Sequence, residues 1–253
     1  MKKLIVILFC LIMSIPAICS AVGFEFAIGT WAQSPDGTGS YKPSSYIDYI
    51  DLAKDLKYGK ETKLFARLKI DMPLIIPNIY LMASPMSFDG DGNKNVTFKF
   101  GDKKFDANVP FYSKISLDNY DIALYYGIPF VKTATLKKLN VDVGLNFRIE
   151  NFKAEINQNS LGRIESSSFT LPVPTLYVAA QFMPIDFLSF EVEGRGVAYS
   201  GNSLYSVITR AKAKIMFFFA AVGYRYDKIA LDTKDIDMNT KFDGIFAEVG
   251  CQF

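Results

Sequence analysis

The sequence predicts an all-β fold, namely a transmembrane antiparallel β-barrel, and three observations support this prediction. The chain ends on a strand-like segment in which Ile245, Ala247, Val249, Cys251 and Phe253 are apolar at every second position. Similar alternation recurs in ten segments, commonly 11 to 15 residues long, whereas strands of soluble sheets usually have about 5–6 residues. Tilted membrane strands need about 9–11 residues. A very apolar last strand suits a closed sheet, in which the last strand pairs with the first. We therefore predict ten strands, with eight as the alternative.

The N-terminal segment, residues 1–21, has the features of a secretory signal peptide. Lys2 and Lys3 precede an apolar core, Leu4–Met13, that is followed by small residues. A core of about ten residues is too short to span a bilayer, which disfavours the alternative of a membrane anchor. We expect one barrel domain in residues 22–253.

The first five predicted strands each pair an apolar face with a polar face, although the third is short and less regular. The fifth is the cleanest, because Val141 to Ile149 alternate with Asp142 to Glu150. A proline-rich turn, Pro73–Asn78, follows the second strand. The predicted ranges are 22–32, 61–72, 79–87, 114–127 and 141–150.

The last five predicted strands alternate in the same way. Pro172 and Pro174 lie at the outer end of the sixth strand, where a missing backbone donor costs least. The boundary between the eighth and ninth strands is undefined, because residues 216–219 contain no Gly, Pro or Asn. The predicted ranges are 168–182, 187–199, 203–216, 219–231 and 244–253.

The connections between these strands alternate in length. Bacterial barrels have short periplasmic turns and longer outer loops. We assign the long connections 33–60, 88–113 and 151–167 to the outer side and the short connections 73–78, 128–137 and 183–186 to the periplasmic side. In the first loop, helical spacing from Tyr46 to Leu56 suggests a short helix, with an irregular loop as the alternative.

The polar face of each strand predicts the contents of the barrel. Lipid forces the sheet to close and the apolar face to point outward, so the polar face points into the lumen. The predicted lumen-lining residues are Arg67, Lys69, Asp121, Asp142, Arg148, Glu191, Glu193, Arg195, Arg210, Lys212, Lys214, Arg225 and Glu248. The same alternation adds Glu25, Lys63, Glu150 and Asp227. Charges of both signs in a narrow lumen favour a salt-bridged plug that conducts little, with a narrow charged channel as the alternative.

Several stretches resemble a family of small, largely uncharacterised outer-membrane β-barrels of Gram-negative bacteria that is distantly OmpW-like. The stretches are residues 66–78, 117–126, 140–152, 173–182, 201–207, 223–232 and the terminus from Phe242. The resemblance implies location in the outer membrane of a Gram-negative bacterium and passage or binding of small hydrophobic molecules. It implies no catalytic residues.

The composition excludes most enzyme classes. The chain has no histidine, and histidine is the commonest general base and a frequent metal ligand. Cys251 is the only cysteine after residue 21. Glu191 and Glu193 share a strand face and are the remaining carboxylate pair for catalysis, but ion pairing explains them better. We expect no enzymatic activity, no cofactor and no metal.

One acidic segment resembles a calcium-binding loop. Asp89, Asp91 and Asn93 have the spacing of its first ligands, but Lys94 and Phe100 replace the required Gly and Glu. We therefore expect a solvated turn rather than a metal site. Residues 95–105 are expected to form an outer hairpin about Gly101.

The charge balance limits the partners of the mature chain. Loss of Lys2 and Lys3 with the signal peptide leaves the basic residues equal in number to the 26 acidic ones, which argues against nucleic acid. The expected partners are membrane lipids, the barrel-insertion machinery through the strand ending at Phe253, and a small-molecule solute. We predict a narrow channel or a binder of small solutes, with ion preference set by Arg210, Lys212 and Lys214. The alternative is a closed structural or adhesive barrel that acts through its outer loops.

Overall fold

The computed structural model describes residues 22–73 and 75–253, so the predicted signal peptide lies outside the described residues. The strands are β1 (Gly23–Tyr41), β2 (Ile50–Asp51), β3 (Glu61–Asp71), β4 (Asn78–Ser84), β5 (Ser87–Gly92), β6 (Phe98–Phe100), β7 (Lys103–Phe105), β8 (Phe111–Gly127), β9 (Leu139–Gln158), β10 (Arg163–Ile185), β11 (Leu188–Tyr199), β12 (Asn202–Ile215), β13 (Phe218–Asp232) and β14 (Ile236–Gln252). A short helix, α1, covers Pro129–Ala134, and 3₁₀ turns cover Tyr46–Asp48 and Asn159–Leu161.

The sheet closes into an antiparallel barrel of ten wall strands. The wall runs β1, β3, β4 with β5, β8, β9, β10, β11, β12, β13 and β14, and β14 pairs back onto β1. β4 and β5 count as one wall strand because both pair with β8. At the closure, Phe24 and Phe253 exchange both backbone hydrogen bonds, at 3.2 and 2.9 Å. The prediction of ten strands is confirmed, and the alternative of eight is wrong.

An apolar belt covers the outside of the barrel. Leu145, Leu176 and Ile245 are 65 to 68 % exposed, whereas the next residue along each strand is buried, namely Asn146, Tyr177 and Phe246. Such a surface is far more apolar than that of a soluble protein, and lipid is the solvent it suits. No helix among the described residues is long and apolar enough to cross a membrane.

The strands extend further outward than the sequence predicts. Residues 151–167 were expected to form a long loop, but β9 and β10 pair through this region as far as Gln158 and Arg163. β1 likewise reaches Tyr41 within the expected first loop. The reason is physical: above the belt the outward face of a strand meets water instead of lipid, so its apolar alternation ends, while the inward face stays buried and the backbone pairing continues. Between β12 and β13 a two-residue turn at Met216 and Phe217 resolves the undefined boundary.

The loops show one confirmed and one wrong prediction. Residues 98–105 form the expected hairpin, β6 with β7. The expected helix from Tyr46 to Leu56 is wrong, because its only helical part is the 3₁₀ turn Tyr46–Asp48. The longer outer connections, 42–60 and 93–110, are called loop 1 and loop 2 below.

Candidate functional site: the inner vestibule and the ion pairs behind it

A cavity of about 590 Å³ lies at the end of the barrel that holds Gly23, Phe253 and the short turns. We call it the inner vestibule. The strand ends place charged side chains on its wall, and the turns after β3, β8 and β10 form its rim. Its carboxylates are Glu25, Asp71, Asp142, Asp186, Glu191 and Glu193, and its lysines are Lys69, Lys132, Lys212 and Lys214.

A set of buried ion pairs, the inner ion-pair network, lies behind the vestibule. Its members are Glu25, Arg67, Lys69, Glu191, Glu193, Arg195, Arg210, Lys212 and Glu248. The Arg67 guanidinium donates to Glu248 from Nε at 3.0 Å and from Nη2 at 2.7 Å, and to Glu25 from Nη1 at 2.5 Å. This fork geometry is the strongest form of a carboxylate–arginine pair.

The remaining members extend the network across the lumen. Lys212 lies 3.1 Å from Glu25 and 2.5 Å from Glu191. The Glu193 carboxylate lies 3.2 Å from the Lys69 ammonium and 3.0 Å from the Arg210 guanidinium. Lys69 of β3 and Glu193 of β11 lie on opposite sides of the barrel, so the network spans its cross-section with paired side chains.

A second group, the outer ion-pair network, lies further from the vestibule. Arg148 donates to Asp121 from Nε and Nη2, both at 2.9 Å, and Arg225 donates to Asp227 at 3.1 and 2.7 Å. The Arg225 guanidinium also lies 4.2 Å from the ring centre of Trp31. A cavity of only about 10 Å³ beside Arg225 has room for one water molecule.

The Glu150 carboxylate lies in this region without a hydrogen-bond partner in the described part of the chain. The residue is 4 % exposed, and neither carboxylate oxygen has a hydrogen-bond partner among the described residues. The guanidinium groups of Arg148 and Arg225 already form ion pairs with Asp121 and Asp227, respectively. Burying a carboxylate without a hydrogen-bond partner is costly.

The outer half of the barrel is filled by apolar side chains, which we call the outer apolar layer: Phe88, Phe98, Phe105, Phe111 and Phe242 with their neighbours. Phe88 stacks on Phe242 with ring centres 5.5 Å apart, and Phe98 on Phe105 at 5.4 Å. Loop 2 supplies part of this layer, so it lies in the barrel mouth.

Polar contacts tie loop 1 to loop 2. The ammonium of Lys94 donates to the carbonyl of Ile47 at 2.8 Å and also to that of Tyr49. The Asp48 carboxylate accepts the backbone N–H groups of Ser44 at 2.7 Å and Lys99 at 2.7 Å. Partial burial raises the pKa of Asp48, but the backbone N–H donors outweigh burial and bring it below the usual value.

The structure brings most of the predicted lumen-lining residues together. Arg67, Asp121, Arg148, Glu191, Glu193, Arg195, Arg210, Lys212, Arg225 and Glu248 are buried in the two networks. Lys69, Asp142 and Lys214 are less buried and lie on the vestibule wall. Lys63 lies apart from both networks and pairs with Glu61 at 3.3 Å. A functional role for the set stays a prediction.

Sequence reasoning missed the uncharged part of the vestibule. Asn78, Tyr125, Asn140, Gln181 and Ser189 line it, and each lies at a strand end. Their common signal is a polar residue beside a short inner turn, which identifies the site only once the turns are placed.

The acidic segment at residues 89–93 belongs to the barrel wall. Asp89 and Asp91 are in β5 and pair with Lys114 and Tyr112 of β8, so the expected solvated turn is wrong. Within the described ranges no group of three or more potential metal-binding side chains occurs.

Comparison with known proteins finds only distant structural likenesses. No family model and no curated protein matches the chain. Among solved structures, the attachment invasion locus protein Ail of Yersinia pestis, in complex with the heparin analogue sucrose octasulfate, has 10% identity and a TM-score of 0.40, over 92% of this chain and 99% of that chain. The Neisserial surface protein A has 10% identity and a TM-score of 0.32, over 91% and 97%. A mutant of the monoaromatic hydrocarbon channel TodX has 9% identity and a TM-score of 0.33, over 92% and 90%. The resemblance to a particular family stays a prediction.

Proposed function

We propose that the protein is an integral outer-membrane β-barrel that binds a small polar solute in its inner vestibule and is closed to free ion flow beyond it. The observation that carries this proposal is the inner ion-pair network directly behind a cavity of about 590 Å³. The cavity is large enough for a small ligand. The paired charges behind it span the cross-section of the barrel, which supports the proposed closure.

The charge of the vestibule favours a cationic solute. Its wall carries Asp71, Asp142 and Asp186 outside the inner ion-pair network, against Lys132 and Lys214. The Asp142 carboxylate accepts a hydrogen bond from Asn140 at 2.8 Å, and the Asp71 carboxylate accepts one from Tyr125 at 3.4 Å. Neither carboxylate forms a salt bridge with another of the residues that the structure describes. An excess of carboxylates in a narrow recess concentrates cations.

Titration calorimetry of the refolded protein in detergent tests the proposal with putrescine as the probe and acetate as its anionic counterpart. We expect putrescine to bind and acetate not to bind. Asp142→Asn should weaken putrescine binding about tenfold, because one charge-assisted contact is worth about 1.4 kcal/mol or more.

The matched control is Asp232→Asn, a carboxylate at the far end of β13. Absence of putrescine binding, or equal loss in both variants, contradicts a cation site in the vestibule. Discrete ion-selective conductance by the unmodified protein would instead support the narrow channel and contradict closure.

Action through the outer loops is the second candidate function. The contacts of Lys94 and Asp48 favour it, because they join loop 1 and loop 2 into one ordered outer surface. Ordered surfaces bind partners at a lower entropic cost than mobile loops.

A further inference from the structure

The outer part of β10 has a free edge. β10 has 23 residues and pairs with β9 from Arg163 to Phe182. β11 has only 12 residues, and its outermost pair with β10 is Gly196 with Leu176. On the β11 side, residues 163–175 therefore have no strand partner in the part of the chain that the structure describes.

The direction of the free backbone groups follows from residue parity. The N–H of Met183 donates to the carbonyl of Lys138 on the β9 side at 2.7 Å. The backbone N–H and carbonyl groups of odd-numbered β10 residues therefore point toward β9, and those of even-numbered residues point toward the free edge. The unused donors are the N–H groups of Ile164, Ser166, Ser168 and Thr170.

Two prolines close the lower end of this edge. Pro172 and Pro174 have the same parity as Ser168 and have no N–H to leave unpaired. They lie where the outward side chains change from apolar Leu176, 65 % exposed, to polar Thr170. Unpaired backbone donors are very costly in lipid, so the prolines stand where the edge meets the belt.

The upper end is also occupied. The Lys103 ammonium donates to the carbonyl of Ile164 at 2.5 Å, and Arg163 donates to the carbonyl of Lys104 at 3.1 Å. The open segment is therefore limited to residues 165–171, which we call the β10 edge. It lies outside the belt, in contact with water.

Apolar side chains lie behind the β10 edge. Phe169 stacks on Phe152 with ring centres 4.7 Å apart, and Leu171 is half-buried on the same face. Phe152 also lines an apolar cavity of about 50 Å³. The lining of this cavity comes from β1, β2, β6, β8, β9, β14 and loop 1, with no residue from β10 to β13.

We propose that the β10 edge is a docking site for an extended segment of another polypeptide, which adds to the sheet as a strand. Only a second backbone offers acceptors and donors at the spacing of the free groups, whereas a lipid chain would leave them unpaired. The added strand would place apolar side chains at alternate positions beside Phe169. Its other side chains would face water next to Ser166, Ser168 and Thr170, where small polar residues fit.

A second copy of this chain does not fit the edge. Two barrels upright in one membrane are related by a two-fold axis along the membrane normal. Such an axis makes the two β10 strands parallel in direction and opposite in tilt, so their edges cross rather than align. The partner is therefore a different polypeptide.

The test uses a fluorescent nine-residue peptide of alternating threonine and valine with a lysine at each end. Its binding to the folded protein in detergent is measured by anisotropy. Ser168→Pro removes one free N–H and leaves the β9 ladder intact, whereas Ser168→Ala changes the side chain and keeps the N–H. We expect the unmodified protein and Ser168→Ala to bind alike, and Ser168→Pro to bind at least about tenfold more weakly.

Hydrogen exchange on the unmodified protein decides the matter even if Ser168→Pro does not fold. The peptide should slow exchange at Ser166, Ser168 and Thr170 and leave the odd-numbered amides unchanged. A peptide with N-methylated alternate amides should give no protection. Four outcomes would each overturn the proposal. The peptide could bind Ser168→Ala and Ser168→Pro equally, or fail to bind at all. It could protect amides elsewhere in the chain, or these amides could be protected without peptide by self-association.

Discussion

At the scale of single residues, the closure of the barrel depends on Arg67, whose side chain is fully buried between Glu25 and Glu248. Arg67→Met leaves both carboxylates short of a partner, so we expect a loss of about 3–5 kcal/mol in unfolding free energy. Removing Glu248 as well, in Arg67→Met with Glu248→Met, should recover part of that loss, because one unpaired charge disappears. Urea unfolding followed by gel mobility measures both. Lys63→Met is the control, since its pair with Glu61 is partly exposed and is worth at most about 1 kcal/mol. Equal destabilisation by the Arg67 and Lys63 variants would contradict this assignment.

The same residues show how far the sequence predicts the site. Alternation along each strand is enough to place Arg67 and Glu248 inside the barrel, because the pleat has a period of two. It does not pair them: they are 181 residues apart, and only the register of β14 on β1 and of β1 on β3 brings them together. Lys63 occupies a position on β3 whose side chain should point inward, but it lies near the far end of that strand, beyond the two networks. Whether a residue is odd or even in its strand predicts whether its side chain points inward. Its position along the barrel axis depends on how the strands are registered.

At the scale of elements, the junction of loop 1 and loop 2 should depend on the ionisation of Asp48. Its pKa is lowered in the folded protein, so its stabilising contribution is present above the unfolded value of about 3.9 and is lost as pH falls through the folded value. Proteolysis of loop 1 should therefore be slow at neutral pH and faster in strong acid, as measured with a protease active at each pH and normalised to the cutting rate of an unfolded peptide. In Asp48→Asn the loop should be cut faster at neutral pH, and the acid step should diminish. Asp91→Asn, in the wall strand β5, is the matched control, and an acid step that survives in Asp48→Asn would contradict the prediction.

The β9–β10 hairpin shows why strand ends were harder to predict than strands. Lys153 pairs with Ser168 and Asn151 with Thr170, so the outward face above the belt is polar, like a loop. The inward face is interrupted by Ser167, although Phe169 keeps its partner Phe152. Lipid imposes apolar alternation only where it touches the strand. Alternating hydrophobicity therefore predicts only the part of each strand that contacts lipid, and not the full length of the strand.

At the scale of the whole molecule, two closures lie in series along the barrel axis: a charged closure made of the inner and outer ion-pair networks, and the outer apolar layer. Either should suffice to stop ions, because charge-paired side chains and close-packed phenylalanines both exclude water. We predict that the unmodified protein is silent in planar bilayers. A variant that carries Arg67→Ala and Glu248→Ala with Arg148→Ala and Asp121→Ala, and so removes one ion pair from each network, should also be silent. So should a variant in which two glycines replace loop 2, a connection that is short enough because Gly92 and Phe111 are already paired across β5 and β8. Only the combined variant should give discrete conductance steps, with the gel shift of a folded barrel as the control in every case. Steps from either single variant would mean that the other closure does not hold alone, and steps from the unmodified protein would mean that the interior opens on its own.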